Sequence, residues 1–240
     1  WRLSAGSKRC VVCHDSATGC GLCAACAADL QSVRTDAAHM CPQCAGISTL
    51  GAVCGRCQQK PPPFERLWAS VYYEPPASSM LHAFKHLADL SMREPLVEIM
   101  RAHPPPWLAD AEIGAALAMP LSKARRLYRG FNQADELAAR LAQHYGWPLL
   151  PRDAVFRRHH APQSTLKSDE RQRNVRHAFA VQSGLVKNCN LLLIDDVVTT
   201  GATLNELARV LKRAGAGRIF CWTLARAQMK ILCRTCLLRA

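Results

Sequence analysis

The chain has 240 residues, 49% of them hydrophobic, and its 31 lysine and arginine residues outnumber 18 acidic ones to give a formal net charge of +13. A chain of that length can form one well-filled α/β core with a small appended module. No apolar run approaches the roughly 20 residues that cross a bilayer, so we expect no membrane insertion. Cysteines stand where a secretory signal would have its apolar region, which favours a cytoplasmic protein, and a start at Trp1 leaves the true N-terminus open.

The positive charge is concentrated between residues 121 and 177, which hold twelve lysine or arginine residues and five acidic ones. Such a belt attracts polyanions, and both pyrophosphate and nucleic acid qualify. A solvated basic surface would show the same composition. The charge alone therefore does not identify a partner.

The N-terminal quarter of the chain contains an internal repeat of cysteine pairs. In each copy two Cys-x₂-Cys turns are separated by nine residues, and the eight cysteines are Cys10, Cys13, Cys23 and Cys26, then Cys41, Cys44, Cys54 and Cys57. One such turn presents two thiolates to a tetrahedral Zn²⁺, and two turns complete a closed structural site. We expect one or two structural zinc ions rather than disulfides, because nothing else in the chain indicates an oxidising compartment.

The pairing of these turns is left open by the sequence. Sequential pairing gives two zinc ribbons, one for each repeat, whereas a cross-braced arrangement pairs the first turn with the third. Cys20 adds a further ambiguity, because it also stands three residues before Cys23. Cys233 and Cys236 form a late pair without a second one, so we expect them to be unliganded thiols.

The residues after the Lys60–Pro63 linker predict alternating strands and helices. A strand is expected at Leu67–Tyr73, and a helical stretch at Ser79–Arg101, interrupted near Pro95. Within that stretch we expect Lys85 to be a surface lysine. The next strand is expected at Ile113–Met119, followed by a helix that Asn132 caps and that runs to about Tyr145.

The segment from Leu191 to Thr203 is the most informative part of the chain. Leu191–Ile194 is a run of four aliphatic residues, typical of a parallel strand that is covered on both faces. Asp195 and Asp196 follow, and we expect them to emerge at the carboxyl end of that strand, where open α/β sheets bind ligands. The residues Thr199, Thr200, Gly201, Ala202 and Thr203 then offer backbone N–H groups and hydroxyls to an anion at the start of a helix.

The order of these groups constrains the ligand. Two carboxylates would repel a bare phosphate, so the ligand should also carry ribose hydroxyls or a hydrated Mg²⁺, and a sugar 5-phosphate meets both needs. The alternative is a strand, an acidic turn and a capping threonine with no ligand. A helix that ends at Gly215 or Gly217 and a strand at Arg218–Leu224 would complete a right-handed βαβ crossover, and hence a parallel sheet.

Leu191–Thr203 resembles, position for position, the phosphoribosyl pyrophosphate (PRPP) signature of type I phosphoribosyltransferases. Arg129–Gln133, Gln163–Phe179 and the cysteine-rich N-terminus resemble the ComF/GntX family of competence and DNA utilisation proteins. The resemblance extends from Cys10 to about Arg226. It implies an α/β fold with a type I phosphoribosyltransferase-like parallel sheet flanked by helices. The implied division is a double zinc-ribbon module at residues 1–60, a phosphoribosyltransferase-like domain at 61–228 and a basic tail at 229–240.

The resemblance also implies roles for individual residues. Asp195 and Asp196 would bind the ribose 2′- and 3′-hydroxyls, while the residues from Val198 to Thr203 would wrap the 5′-phosphate. Lys123, in the turn after the Ile113–Met119 strand, and Arg129 would contact PRPP as well. The polar stretch from Arg157 to Asn174 would be a loop that closes over PRPP, with Lys167 and Arg171 touching the pyrophosphate, although a plain surface loop has the same composition.

Two functions follow from this resemblance. In the first, the protein binds PRPP with Mg²⁺ and transfers or handles the phosphoribosyl group during DNA uptake or utilisation, with a nucleotide or single-stranded DNA as acceptor. No residue in the sequence identifies that acceptor. In the second, it is a non-catalytic, PRPP-responsive accessory protein that binds single-stranded DNA. The low aromatic content of 6% gives the second function little support, because single-strand binders stack bases on aromatic side chains. Competence and DNA-uptake proteins are the expected partners.

Overall fold

The computed structural model describes residues 8–17, 21–157 and 178–227, and these segments contain eight strands and seven α-helices. The strands are β1 (Lys8–Arg9), β2 (Ser16–Ala17), β3 (Arg66–Tyr72), β4 (Ala115–Ala118), β5 (Val155–Arg157), β6 (Phe179–Val181), β7 (Leu191–Val198) and β8 (Ile219–Arg226). The helices are α1 (Ala24–Ser32), α2 (Gly55–Gln59), α3 (Ala77–His86), α4 (Arg93–Ala102), α5 (Lys123–Arg129), α6 (Gln133–Tyr145) and α7 (Ala202–Arg213). None of the helices in these segments is both long and apolar enough to span a membrane.

The main sheet has four parallel strands in the order β3-β8-β7-β4. Its central strands β7 and β8 are buried along most of their length, which explains why they read as continuous apolar runs in the sequence. This sheet, with helices packed against it, confirms the predicted fold class. A crossover through α7 joins β7 to β8, which are parallel neighbours, as the predicted βαβ unit requires.

Strand β7 is longer than the aliphatic run that predicts it. Its ladder with β8 continues through Asp195, which pairs with Thr223, to Val198, which pairs with Arg226. Asp195 and Asp196 therefore lie in the second half of the strand, and the expectation that they follow its end is wrong. The continued ladder holds the backbone of both acids in place, so their positions do not depend on a loop conformation.

Helix boundaries agree with the capping signals in one case and differ in another. As predicted, Asn132 caps α6, by accepting a hydrogen bond from the Ala134 N–H at 3.3 Å, and the helix runs to Tyr145. Gly146 follows in the left-handed conformation. The break predicted near Pro95 is wrong, because Pro95 lies in the first turn of α4, where a missing N–H costs nothing. The chain instead breaks between α3 and α4, after His86.

The cysteine-rich segment packs along the outer edge of the sheet. Strand β3 is an edge strand, and its Tyr72 N–H donates to the Val33 carbonyl at 2.8 Å while its Leu67 N–H donates to the Pro42 carbonyl at 3.2 Å. In the opposite direction the Thr35 N–H donates to the Ser70 carbonyl at 3.3 Å. These bonds cover an edge that would otherwise be free to pair with another chain.

Candidate functional site

The two acids of β7 are close neighbours but lie in different surroundings. The Asp196 N–H donates to Asp195 Oδ1 at 2.9 Å, and both side chains are half-buried. Burial, together with the negative charge of Asp196, raises the pKa of Asp195 to about 8. The charges of Lys85 and Arg157 oppose this shift. At neutral pH the Asp195 carboxyl therefore keeps its proton in the ligand-free protein and can both donate and accept a hydrogen bond.

Asp196 has a cationic partner that the sequence analysis did not assign to the site. The Lys85 ammonium, from α3, lies 3.0 Å from Asp196 Oδ2, and the two side chains are 15% and 14% exposed. The expectation of a surface lysine is therefore wrong. No sequence signal reveals this contact, because it depends on how α3 packs over the end of β7.

Arg157 is a second cation that the sequence analysis did not assign to a role at the acids. It is half-buried at the end of β5, and its guanidinium carbon lies 5.5 Å from the centre of the Phe179 ring. Burial lowers the pKa of Arg157, the positive charge of Arg125 lowers it further, and the negative charge of Asp195 raises it. Arg157 therefore lies within electrostatic range of Asp195 and of Arg125 on α5.

The loop after β7 has the form of an anion cradle. Gly201 stands at the N-cap of α7 with φ of +75°, a conformation that L side chains rarely adopt. The Ala202 N–H donates to Thr200 Oγ1 at 3.3 Å, which tightens the turn. Helix α7 begins at Ala202, only four residues after β7 ends at Val198. Its N-terminal N–H groups, and the positive end of its dipole, therefore lie near the end of the strand. The predicted phosphate-binding residues from Val198 to Thr203 are thus contiguous and lie at the carboxyl end of the central strand.

The turn that carries Lys123, which was expected to contact PRPP, begins beside the strand that carries the acids. The Met119 N–H donates to the Ile194 carbonyl at 2.8 Å, so the chain leaves β4 beside the acids, and Lys123 then begins α5 with an exposed side chain. Arg129, at the other end of α5, donates to Gln133 Oε1 at 3.2 Å. Asn132 Nδ2 donates to the Met119 carbonyl at 3.0 Å, which anchors the Arg129–Gln133 segment to the same turn.

Lys167 and Arg171, which the sequence analysis placed on the pyrophosphate, lie outside the described residues, as do Cys20, Cys233 and Cys236. Their roles stay predictions.

The eight paired cysteines form two clusters. Within each cluster the four thiol sulfurs lie within 4.8 Å of one another, and the sets are Cys10, Cys13, Cys23 and Cys26, and Cys41, Cys44, Cys54 and Cys57. Four sulfurs about 2.3 Å from one tetrahedral zinc ion would be separated by just under 4 Å, so both sets fit that metal. The grouping is sequential, one cluster for each repeat, which answers the question that the spacing left open.

The second cluster has a buried arginine beside it. Arg226 ends β8, is 8% exposed, and its Nη2 lies 3.7 Å from where a Cβ on Gly46 would stand. Burial lowers the pKa of the Arg226 guanidinium, and the negative charges of Cys44, Cys54 and Cys41 oppose this shift. The Ala227 N–H donates to the Val198 carbonyl at 2.9 Å. The second cysteine cluster therefore lies beside the end of β8, and the end of β8 is hydrogen-bonded to Val198, where the phosphate loop starts.

Comparison with known proteins places these features in a family. A family model described as "Phosphoribosyl transferase domain" matches residues 127–232. The DNA utilization protein YhgH of Escherichia coli strain K12 is 36% identical over 215 residues, which span 86% of this chain and 90% of that protein. Competence protein F of Haemophilus influenzae is 29% identical over 218 residues, spanning 86% and 91% of the two chains. Among solved structures, adenine phosphoribosyltransferase from Saccharomyces cerevisiae aligns with 59% of this chain and 71% of its own at 13% identity, with a TM-score of 0.38.

Proposed function

The chain belongs to the ComF/GntX family of competence and DNA utilisation proteins, and from that premise we propose that it binds PRPP with Mg²⁺ at the carboxyl end of β7 and handles the phosphoribosyl group. The observation that carries this proposal is the direct succession of two acids, Asp195 and Asp196, and a loop that leads into the N-terminus of α7. A ribose 5-phosphate matches both parts, because its vicinal hydroxyls suit the two acids and its phosphate suits the loop.

Each part of the proposed site has a defined task. The N–H groups and hydroxyls from Thr199 to Thr203 hold the 5′-phosphate. Asp195 and Asp196 hold the ribose hydroxyls, and because their backbone belongs to β7 they fix the orientation of the sugar ring. The cations at the rim, Lys123 and Arg157, supply positive charge where the pyrophosphate leaves.

The proposed metals fit the donor atoms that are present. Carboxylate oxygens beside a phosphate loop suit Mg²⁺, which proteins usually bind through one or two carboxylates together with substrate phosphates. When bound with PRPP, Mg²⁺ supplies charge neutralisation for the pyrophosphate. The thiolate clusters suit structural zinc, which we propose holds the cysteine-rich segment on the edge of the sheet.

In a transfer, the bond between ribose C1′ and the pyrophosphate oxygen breaks, and its electron pair leaves with pyrophosphate. An acceptor atom forms a bond to C1′ and gives up its proton. The protein's part is to hold the sugar, to offset the charge on the leaving group and to exclude water from C1′.

We expect pyrophosphate release to depend on PRPP, on Mg²⁺ and on an acceptor chosen from nucleotides, free bases and single-stranded DNA. Asp196→Asn should lower the rate by about 100-fold or more, since the loss of one preorganised group commonly costs that much. The control is Asp153→Asn, an exposed acid in the loop before β5, which should leave the rate unchanged. Release that Asp196→Asn leaves intact would contradict the transferase. If the protein binds PRPP but releases no pyrophosphate with any acceptor, the result would favour the non-catalytic, PRPP-responsive role.

One observation favours the second function, the binding of single-stranded DNA. On α5 the side chain of Tyr128 is 87% exposed and that of Leu127 is 76% exposed, between the basic residues Lys123, Arg125, Arg126 and Arg129. Aromatic rings interleaved with basic groups form a surface on which bases stack while phosphates are neutralised.

We expect Tyr128→Ala to weaken binding of an oligothymidine about tenfold, because one stacked base contributes roughly 1–3 kcal/mol. Fluorescence anisotropy at several salt concentrations measures the affinity, and the affinity should fall as salt rises. Tyr73→Ala is the matched control, since Tyr73 is an exposed tyrosine that follows β3 at the other edge of the sheet. Equal losses in the two variants would argue against α5 as the DNA surface.

A further inference from the structure

The Lys85–Asp196 ion pair links two elements that are far apart in the sequence. Its atoms are 3.0 Å apart, and at 15% and 14% exposure neither charge is well solvated. A poorly solvated charge that loses its partner is destabilised by several kcal/mol, so the two groups must stay paired unless a ligand replaces one of them. Lys85 also lies outside the residues that match the phosphoribosyltransferase family model. Nothing in that match assigns it a role.

The backbone of α3 is held rigidly while the end of the lysine side chain is not. Phe84, the neighbour of Lys85, is fully buried, and its ring centre lies 5.2 Å from that of Phe131 in the Arg129–Gln133 segment. Leu81, one turn earlier, is fully buried as well. Four methylene groups separate this fixed backbone from the ammonium, which can therefore move by a few ångströms without any shift of the helix.

The C-terminal half of α3 lies within electrostatic range of Arg129, one of the residues expected to contact PRPP. Burial, followed by the positive charges of His82, Arg129 and Lys85, lowers the pKa of His86, so these groups lie close together. Arg129 was expected from the sequence to contact PRPP. Lys85 thus pairs with the proposed ribose-binding acid and lies beside His86, which is within electrostatic range of Arg129.

From this placement, and given the proposed PRPP site, we infer that Lys85 is a PRPP-binding residue that neutralises Asp196 in the free protein and moves to the pyrophosphate when ribose hydroxyls take its place. The exchange needs no unpaired charge at either stage. Before PRPP binds, the Lys85 ammonium is paired with the Asp196 carboxylate. After binding, the carboxylate accepts ribose hydroxyls and the ammonium faces phosphate oxygens, a charge-assisted contact.

The test compares Lys85→Met and Lys85→Arg with the wild type by calorimetry, using two ligands. We expect Lys85→Met to weaken binding of PRPP with Mg²⁺ about tenfold or more, because a hydrogen bond to a charged group is lost. Its affinity for ribose 5-phosphate, which has no pyrophosphate, should be unchanged or higher. Lys85→Arg keeps the charge and should restore most of the PRPP affinity. Lys212→Met is the control, since Lys212 pairs with Glu65 at 3.7 Å away from the acids.

Each outcome is decisive. If Lys85→Met binds PRPP as well as the wild type, or loses affinity for both ligands equally, the inference is overturned while the proposed site stands. If ribose 5-phosphate affinity is retained, the variant is folded and a selective loss of PRPP binding supports the inference. If the wild type binds neither ligand, the proposed function and the inference both fall.

Discussion

Cys41→Ser is expected to unfold the segment around the second cysteine cluster and to uncover the edge of β3. Cys41 is fully buried, and the turn that it begins supplies the Pro42 carbonyl that accepts from Leu67 of β3. Metal binding by a four-cysteine site contributes on the order of 10 kcal/mol to the folding of such a small segment. The loss of one thiolate should remove most of that contribution, and the freed strand edge should then cause aggregation.

The measurement is metal content by mass spectrometry together with thermal unfolding and light scattering. We expect Cys41→Ser to lose one zinc ion per chain, to unfold at least about 10 °C lower than the wild type and to aggregate on heating. Cys189→Ser is the matched control, because Cys189 is half-buried and belongs to neither cluster. A Cys41→Ser protein that stays monomeric, with an unchanged unfolding temperature, would show that the second cluster has no structural role.

The two acids of β7 should respond to substitution in opposite directions. The raised pKa of Asp195, about 8 against an ordinary value of 3.8, means that the folded protein binds a proton that the unfolded chain releases. The contribution of Asp195 to the free energy of unfolding must therefore fall as the pH rises from about 4 to about 8. Asp195→Asn removes the free-energy cost of holding a protonated or poorly solvated carboxyl in the folded protein. It should stabilise the protein by about 2–4 kcal/mol at pH 8, since one pKa unit corresponds to about 1.4 kcal/mol.

Asp196→Asn should instead destabilise the protein, because it leaves the Lys85 ammonium poorly solvated and without its carboxylate partner. The comparison is best made at pH 6, where Asp195 carries its proton and the repulsion between the two acids is small. We expect a loss of about 2 kcal/mol in the free energy of unfolding, measured by urea denaturation. Equal effects of the two substitutions, or a wild-type stability that does not change between pH 5 and pH 8, would contradict this electrostatic account.

The predictable part of the structure is the part that is contiguous in sequence. The strand, acid pair and loop from Leu191 to Thr203 follow directly from residue order, because each element positions the next. The α6 boundaries follow from Asn132 and Gly146, since capping is a local property. The four-residue aliphatic run underestimates β7 because acidic residues continue a strand when a neighbouring strand supplies the ladder.

The unpredicted part depends on contacts between distant segments. The pairing of cysteine turns is set by the path of the chain between Cys26 and Cys41, about which the spacing says nothing. Lys85 reaches Asp196 through the packing of α3, whose Phe84 lies against Phe131. No periodicity in α3 distinguishes such a lysine from an exposed one.

The central claim is a ribose-phosphate site at the end of β7, and calorimetric titration of the zinc-loaded protein with PRPP and Mg²⁺ tests it most directly. The comparison is an Asp195→Asn/Asp196→Asn double variant, with its folding checked by circular dichroism. We predict micromolar binding by the wild type that the double variant loses. The absence of binding by a folded, zinc-loaded wild type, or equal binding by the double variant, would contradict the account.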